Sequence, residues 1–257
     1  MKHARIAWAG AVHQAIEADG QLELQTPGFG GRRLSFDEVV WLPPLAPTPL
    51  HRPRSVIALA INYADRAKEL DFKPPDEPLA FPKGEASLIG HRGVTVRPQG
   101  VAHMHYECEL AVVMGREARR VKKADAYDFV RGYTVANDYA IRDYLENWYR
   151  PNLRVKSRDT CTPIGPWLVD AADVPDPMNL QLKASVNGQL VQEGTTADMV
   201  FDVPTLIEYL TSFMTLYPGD LILTGTPDGV VDCPAGSRVV CEIEGVGSLE
   251  NTIVPGA

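Results

Sequence analysis

The chain has 257 residues, 45% of them hydrophobic and 23% charged, with 21 glycines and 21 prolines. That composition excludes collagen, coiled coil and wholesale disorder, and the length suffices for one large core with a small appended unit. The 25 Lys and Arg against 33 Asp and Glu give a net charge of −8, the wrong sign for a protein that tracks nucleic-acid phosphates.

No apolar run approaches the ~20 residues of a membrane span. The first residues lack the apolar segment of a secretory signal. Cys108, Cys161, Cys233 and Cys241 have neither CxxC nor zinc-ribbon spacing, which fits reduced thiols. The expectation is a soluble cytoplasmic protein with no membrane and no nucleic-acid partner.

Residues 5–8 and 22–25 flank a turn signal at Asp19-Gly20, consistent with a small N-terminal β unit over residues 1–47. Residues 42–53 hold five prolines in twelve positions, a stretch that resists helix and central strand and reads as an extended linker. A larger unit then spans 48–257. Its first strand is predicted over 55–60, followed by a charged, Pro-rich loop or short helix at 65–79. Further strands are predicted at 109–114, 132–137, 164–169, 221–224 and 239–243. Leu180, Leu182, Ala184 and Val186 alternate before Asn187-Gly188, a hairpin signal. A helix is expected at 140–148, ending before Pro151. Another follows Asp202, with Pro204 in its first turn and an apolar stripe of Val203, Leu206, Ile207, Leu210, Phe213 and Met214. Strands dominate without βα alternation, so the fold class is a β-rich α+β fold and not a doubly wound sheet.

The segment from His103 to Glu109 carries the densest chemistry. If extended, it points His103, His105, Glu107 and Glu109 the same way, with the two carboxylates roughly 6.5–7 Å apart at Cα. Asp138 closes the strand predicted at 132–137. Three converging carboxylates repel one another unless a cation neutralises them. All-oxygen ligation suits Mg²⁺, Mn²⁺ or Ca²⁺, whereas His103 and His105 would draw the site toward zinc. A solvated polar strand edge is the bland alternative.

Arg142, Arg150, Arg154, Lys156 and Arg158 form a cationic cluster in an acidic chain. Arginine's rigid fork suits an anionic substrate, and a salt-bridging surface is the plainer reading. Asp138 and Arg142 would share one face at the start of a helix. The turn from Gly225 to Gly229 puts a Thr hydroxyl and backbone N–H groups where a carboxylate can dock. GxGxxG, the Walker lysine loop, GxSxG and HExxH do not occur, which argues against dinucleotide, nucleotide, serine-hydrolase and zinc-protease chemistry.

The motifs Asn62-Tyr-Ala-Asp65, Phe81-Pro-Lys83, Tyr106-Glu-Cys-Glu109, Asn137-Asp138, Arg142-Asp143, Lys156 and Thr224-Gly-Thr-Pro227 stand in the order seen in the fumarylacetoacetate hydrolase family. The resemblance runs from about residue 55 to residue 253. The stretch 133–159 and the segment 71–79 are more similar to the family's isomerase/decarboxylase branch, which works in homoprotocatechuate (4-hydroxyphenylacetate) breakdown.

The resemblance implies a mixed β-roll and a Mg²⁺ or Mn²⁺ ion held by Glu107, Glu109 and Asp138. It implies Lys156 beside the reacting group, and Lys83 and Thr226 against a substrate carboxylate. It also implies a dimer, either a homodimer or one completed by a second, homologous chain. Two positions depart from the pattern. The family's lid carries a His after Tyr-Ala-Asp, paired with a Glu three residues on; here they are Arg66 and Glu69. The hydrolase branch has Gln where this chain has Leu145. Both disfavour hydrolysis.

The function expected is decarboxylation and isomerisation of an unsaturated 2-oxo polycarboxylate, with Arg66, Glu69 and Lys156 in the catalytic set and Glu69 as proton carrier. The alternatives are acylpyruvate hydrolysis, oxaloacetate decarboxylation, a weakly active subunit needing a partner chain, and a metal-binding protein without activity.

Overall fold

Apolar runs bounded by Gly, Pro and Asn give this chain its strands. The computed structural model describes residues 1–48, 52–71, 73–145 and 153–256. In the centre lies Cys108–Met114, all seven residues buried. Such a run reads as continuously apolar because both of its faces are covered. Leu110 and Val112 face one core, which includes Leu182, Val239 and Ile243, while Ala111 and Val113 face another with Val56, Ala58 and Leu221.

Val130–Asn137 pairs antiparallel with this strand on one side, and Leu221–Leu223 on the other. Outward from Leu221–Leu223 come Val56–Ala60, in parallel, and Leu79–Lys83. Beyond Val130–Asn137 comes Thr162–Asp170, which continues into Lys2–Trp8, Ala11–Ala18, Gln21–Leu24 and Arg33–Leu34. The N-terminal β unit therefore extends the large twelve-stranded sheet, with Lys2 opposite Val169. A second sheet of five strands runs Gln189–Thr195, Gln181–Val186, Arg238–Ile243, Gly247–Pro255 and Val94–Arg97. The fold is β-rich α+β, as expected.

The Asp202 carboxylate accepts the Thr205 N–H at 2.8 Å and starts the helix Val203–Phe213. Val203, Leu206, Ile207 and Leu210 of the predicted stripe are buried, but Phe213 is 59% exposed. The hairpin at Asn187-Gly188 forms as read, with both residues at positive φ.

Ala11–Ala18, not named from the sequence, is a strand that pairs with both its neighbours; its sequence alternates too weakly to show it. Two expectations are corrected. The helix expected over 140–148 is, where described, the strand Ala140–Ile141 and a single 3₁₀ turn at Arg142–Tyr144. Pairing with Met104–His105 and the bond from Arg142 N–H to the His103 carbonyl use the backbone groups a helix would need; residues 146–148 lie outside the described residues. Finally, the stretch 103–109 is not one strand. Met104–His105 and Cys108–Met114 are separate, and the chain is irregular at Tyr106 and Glu107.

Candidate active site

Neighbouring strands hold the three carboxylates. Glu109 lies at the second position of Cys108–Met114, and Asp138 directly follows Val130–Asn137. Glu107 stands on the irregular step before the central strand. Its N–H is held by Asn137 Oδ1 at 3.1 Å, and its carbonyl accepts the Asp138 N–H at 2.9 Å. Asn137 thus brings the two halves of the motif together. Each of the three side chains offers one oxygen within 4.8 Å of the others.

Two lysines neutralise this group. Lys156 Nζ donates to Glu107 Oε2 at 2.5 Å and to Asp138 Oδ2 at 3.1 Å. Burial lowers the affinity of this amine for its proton, but Asp138, Glu107 and Glu109 more than offset that, and the ammonium is held above its ordinary range. Lys83 Nζ donates to Asp138 Oδ1 at 2.5 Å and also to the Lys156 carbonyl. Its side chain is fully buried. Lys83, expected against a substrate carboxylate, is here bonded to Asp138 and is not among the residues that line the cleft.

Glu109 is the anomaly. Oε2 accepts the Gly225 N–H at 2.8 Å, but buried Oε1 has no hydrogen-bond partner among the described residues. Burial, and then the charges of Asp138 and Glu107, push this carboxyl well above its usual range. A buried oxygen left unpaired is costly, and a divalent cation would satisfy it. The donor set, three carboxylate oxygens with no thiolate, fits Mg²⁺ or Mn²⁺.

Among the described residues, neither histidine belongs to this group. His105 Nδ1 is bonded to the Tyr106 carbonyl at 3.1 Å, which makes that nitrogen the N–H. Burial and then Lys156 keep the ring neutral. The zinc alternative loses its support.

A cleft of about 860 Å³ opens beside the acidic group and reaches it at Glu107. Glu107, Lys156, Arg142, Thr226 and Arg66 line it, together with Leu145. Arg66 comes from the helix Ala64–Glu69, where it is buried and paired with Glu69 one turn on. The chain enters this helix through Ile61 at φ 55, uncommon for a β-branched residue and a sign of local strain.

The cationic cluster divides. Arg142 and Lys156 reach the cleft, whereas Arg154 stacks over the Tyr144 ring at 3.9 Å and Arg158 lies 5.9 Å from its centre. Arg150 lies outside the described residues. Asp143 accepts the N–H groups of Ala102 and His103, so it fastens the loop on which Arg142 sits. Sequence reasoning did not find the apolar wall contributed by Leu59, Ile61, Tyr209 and Phe213. Only the exposed Phe213, closing an otherwise buried stripe, carries a trace of it.

Residues 55–254 match the model of the fumarylacetoacetate (FAA) hydrolase C-terminal family. Over 206 residues the chain is 59% identical to the 4-hydroxyphenylacetate degradation bifunctional isomerase/decarboxylase of Salmonella dublin, covering 80% of this chain and 48% of the relative. The chain spans about half the length of such curated relatives. The structure superposes on 5-carboxymethyl-2-hydroxymuconate delta-isomerase from Mycobacterium smegmatis with a TM-score of 0.86 at 36% identity, covering 100% of both chains. For 2-hydroxyhepta-2,4-diene-1,7-dioate isomerase from Mycobacterium marinum the TM-score is 0.85 at 34% identity, covering 100% of this chain and 99% of the other.

Proposed function

Because the chain belongs to the fumarylacetoacetate hydrolase family through its residues 55–254, we propose that it is a divalent-metal-dependent decarboxylase and isomerase of unsaturated 2-oxo polycarboxylates. The substrate proposed is 5-carboxymethyl-2-oxohex-3-ene-1,6-dioate, with isomerisation of 2-hydroxyhepta-2,4-diene-1,7-dioate as the partner step. The observation that carries this reading is the charged Lys156 ammonium set between Glu107 and Asp138 at the floor of a cleft lined by two arginines.

Glu107, Glu109 and Asp138 would hold Mg²⁺ or Mn²⁺, which supplies Lewis acidity toward a 2-oxo acid. Arg142 and Thr226 bind substrate carboxylates. When the C5 carboxylate leaves as CO₂, its electron pair moves through the C3=C4 bond toward the C2 oxygen. Lys156 is a preorganised cation where that negative charge develops. Glu69, the ion-pair partner of the cleft-lining Arg66, takes up a proton from solvent and passes it to the dienolate carbon, and so decides the tautomer. A guanidinium cannot take a proton from water, so Arg66 gives hydrolysis no base. The apolar Leu145 side chain, where the hydrolase branch has Gln, offers no hydrogen bond to position water.

The reading places the enzyme in the cytoplasm, with 1–47 as an N-terminal unit and 48–257 as the catalytic one. It acts as a homodimer or with a second homologous chain, as the half-length match to the curated relatives suggests. Assaying the purified chain with Mg²⁺ tests the activity. Ultraviolet loss of the conjugated dienol and release of CO₂ are expected from the extended acid, with slower pyruvate release from acylpyruvates. Faster acylpyruvate hydrolysis would overturn the assignment.

A further inference from the structure

Thr226 is 6% exposed and faces the cleft from the turn after Leu221–Leu223. That turn rests on Gln189–Thr195, a strand of the other sheet. A Cβ on Gly194 would lie 2.7 Å from the Pro227 ring, and one on Gly229 would lie 2.9 Å from the Val191 carbonyl. Both glycines are therefore what lets the turn sit so close to the strand.

Between them lies Gln192, 3% exposed. Its Nε2 is 3.1 Å from Thr226 Oγ1 and 2.9 Å from each of the Pro227 and Asp228 carbonyl oxygens. The two carbonyls only accept, so the amide end facing them is the NH₂ group. Reversing the amide would set its oxygen against both carbonyls, and the present orientation holds although Gln192 Oε1 is left buried and unpartnered. An NH₂ group only donates, and its two hydrogens face three acceptors, so Thr226 Oγ1 shares a hydrogen with a carbonyl and toward this group can only accept. The Thr226 O–H then has no acceptor among the described residues and can point to the cleft.

We propose that Gln192 is a positioning residue that makes Thr226 a one-way hydrogen-bond donor toward the cleft, so that this corner of the site selects the deprotonated carboxylate of the substrate. The inference rests on the reading above in which Thr226 meets a substrate carboxylate. Gln192 itself does not touch the reacting atoms. It acts by removing the orientation in which the hydroxyl would present a lone pair to an anion.

A double-mutant cycle on the full chain with the 2-oxo acid and Mg²⁺ tests it, with thermal unfolding as the control for folding. Gln192→Met, similar in size but without a donor, should raise KM about tenfold and change kcat less than about twofold, the scale of one hydrogen bond to a charged group. In a Thr226→Val background the same change should alter KM less than about twofold, while a Thr226→Ser background should keep the full effect. If Gln192→Met does not fold, Gln192→Glu takes its place in the cycle. An undiminished Gln192 effect in Thr226→Val would overturn the proposal and leave Gln192 as a brace of the turn. An unchanged KM in Thr226→Val alone would instead overturn the carboxylate reading of Thr226.

Discussion

Glu107 and Asp138 contribute to one acidic group, but their surroundings make them unequal. Asp138 is shared by two buried ammoniums, those of Lys83 and Lys156, whereas Glu107 engages Lys156 and keeps partial exposure to the cleft. Removing the Glu107 charge leaves Lys156 with Asp138; removing the Asp138 charge strips Lys83 of its only carboxylate among the described residues. Glu107→Gln should therefore lower kcat/KM about 100-fold or more with an unchanged unfolding midpoint. Asp138→Asn should lose activity and also about 3 kcal/mol of stability, the usual consequence of leaving a buried charge unpaired. EDTA should silence the wild type, and Mg²⁺ or Mn²⁺ should restore it. Full activity in the chelator, or equal stability of the two variants, would contradict this account.

The helix Ala64–Glu69 is short, and only Arg66 and Ala67 are buried along it. Its entry is fixed from outside: Asn62 Nδ2 donates to the Phe201 and Thr224 carbonyls, and Asn62 Oδ1 accepts the Phe201 N–H. The helix thus hangs from a firm anchor at one end, as a closing wall of the cleft requires. Few apolar contacts hold its body, which places it among the segments that open at low free energy. Amide hydrogen exchange over 64–71 should be fast in the free protein and slow by about tenfold or more when a 2-oxo acid and Mg²⁺ saturate the site. Unchanged exchange at saturation would rule out closure. The motif Asn62-Tyr-Ala-Asp65 was legible in the sequence, but its anchoring role was not, because both partners of Asn62 lie more than a hundred residues away.

Across the whole molecule, the N-terminal strands join the rest of the large sheet at a charged clasp. Asp170, at the end of Thr162–Asp170, accepts from His3 Nε2 at 3.0 Å and from Arg131. Partial burial raises the Asp170 carboxyl, but the bonds from Arg131 and His3 more than offset it and bring it down to about 2. A depressed carboxyl stabilises the fold above its unfolded value near ~3.9 and loses that contribution as pH falls through its folded value. Asp170→Asn should therefore unfold more easily than the wild type at pH 7, by on the order of 1 kcal/mol after solvent screening. The difference should shrink between pH ~4 and ~2. A gap that persists at the acid end would mean that the clasp is not electrostatic.

What the sequence determined by itself follows from local physics. Alternation and apolar runs identified the strands at the centre of the large sheet, Asp202 and Pro204 marked the start of the long helix, and the spacing of Glu107, Glu109 and Asp138 announced an acidic group that the fold does assemble. The tertiary structure decided the rest, since each remaining feature depends on a distant partner. Pairing with Met104–His105 turned Ala140–Ile141 into strand against its helical pattern. A partner 55 residues away, Asp138, engages the buried Lys83 ammonium. Stacking on Tyr144 withdrew Arg154 from the cationic cluster. Residue type states which chemistry a side chain can perform, but only the packing of remote segments settles which partner claims it and whether it faces solvent, core or cleft.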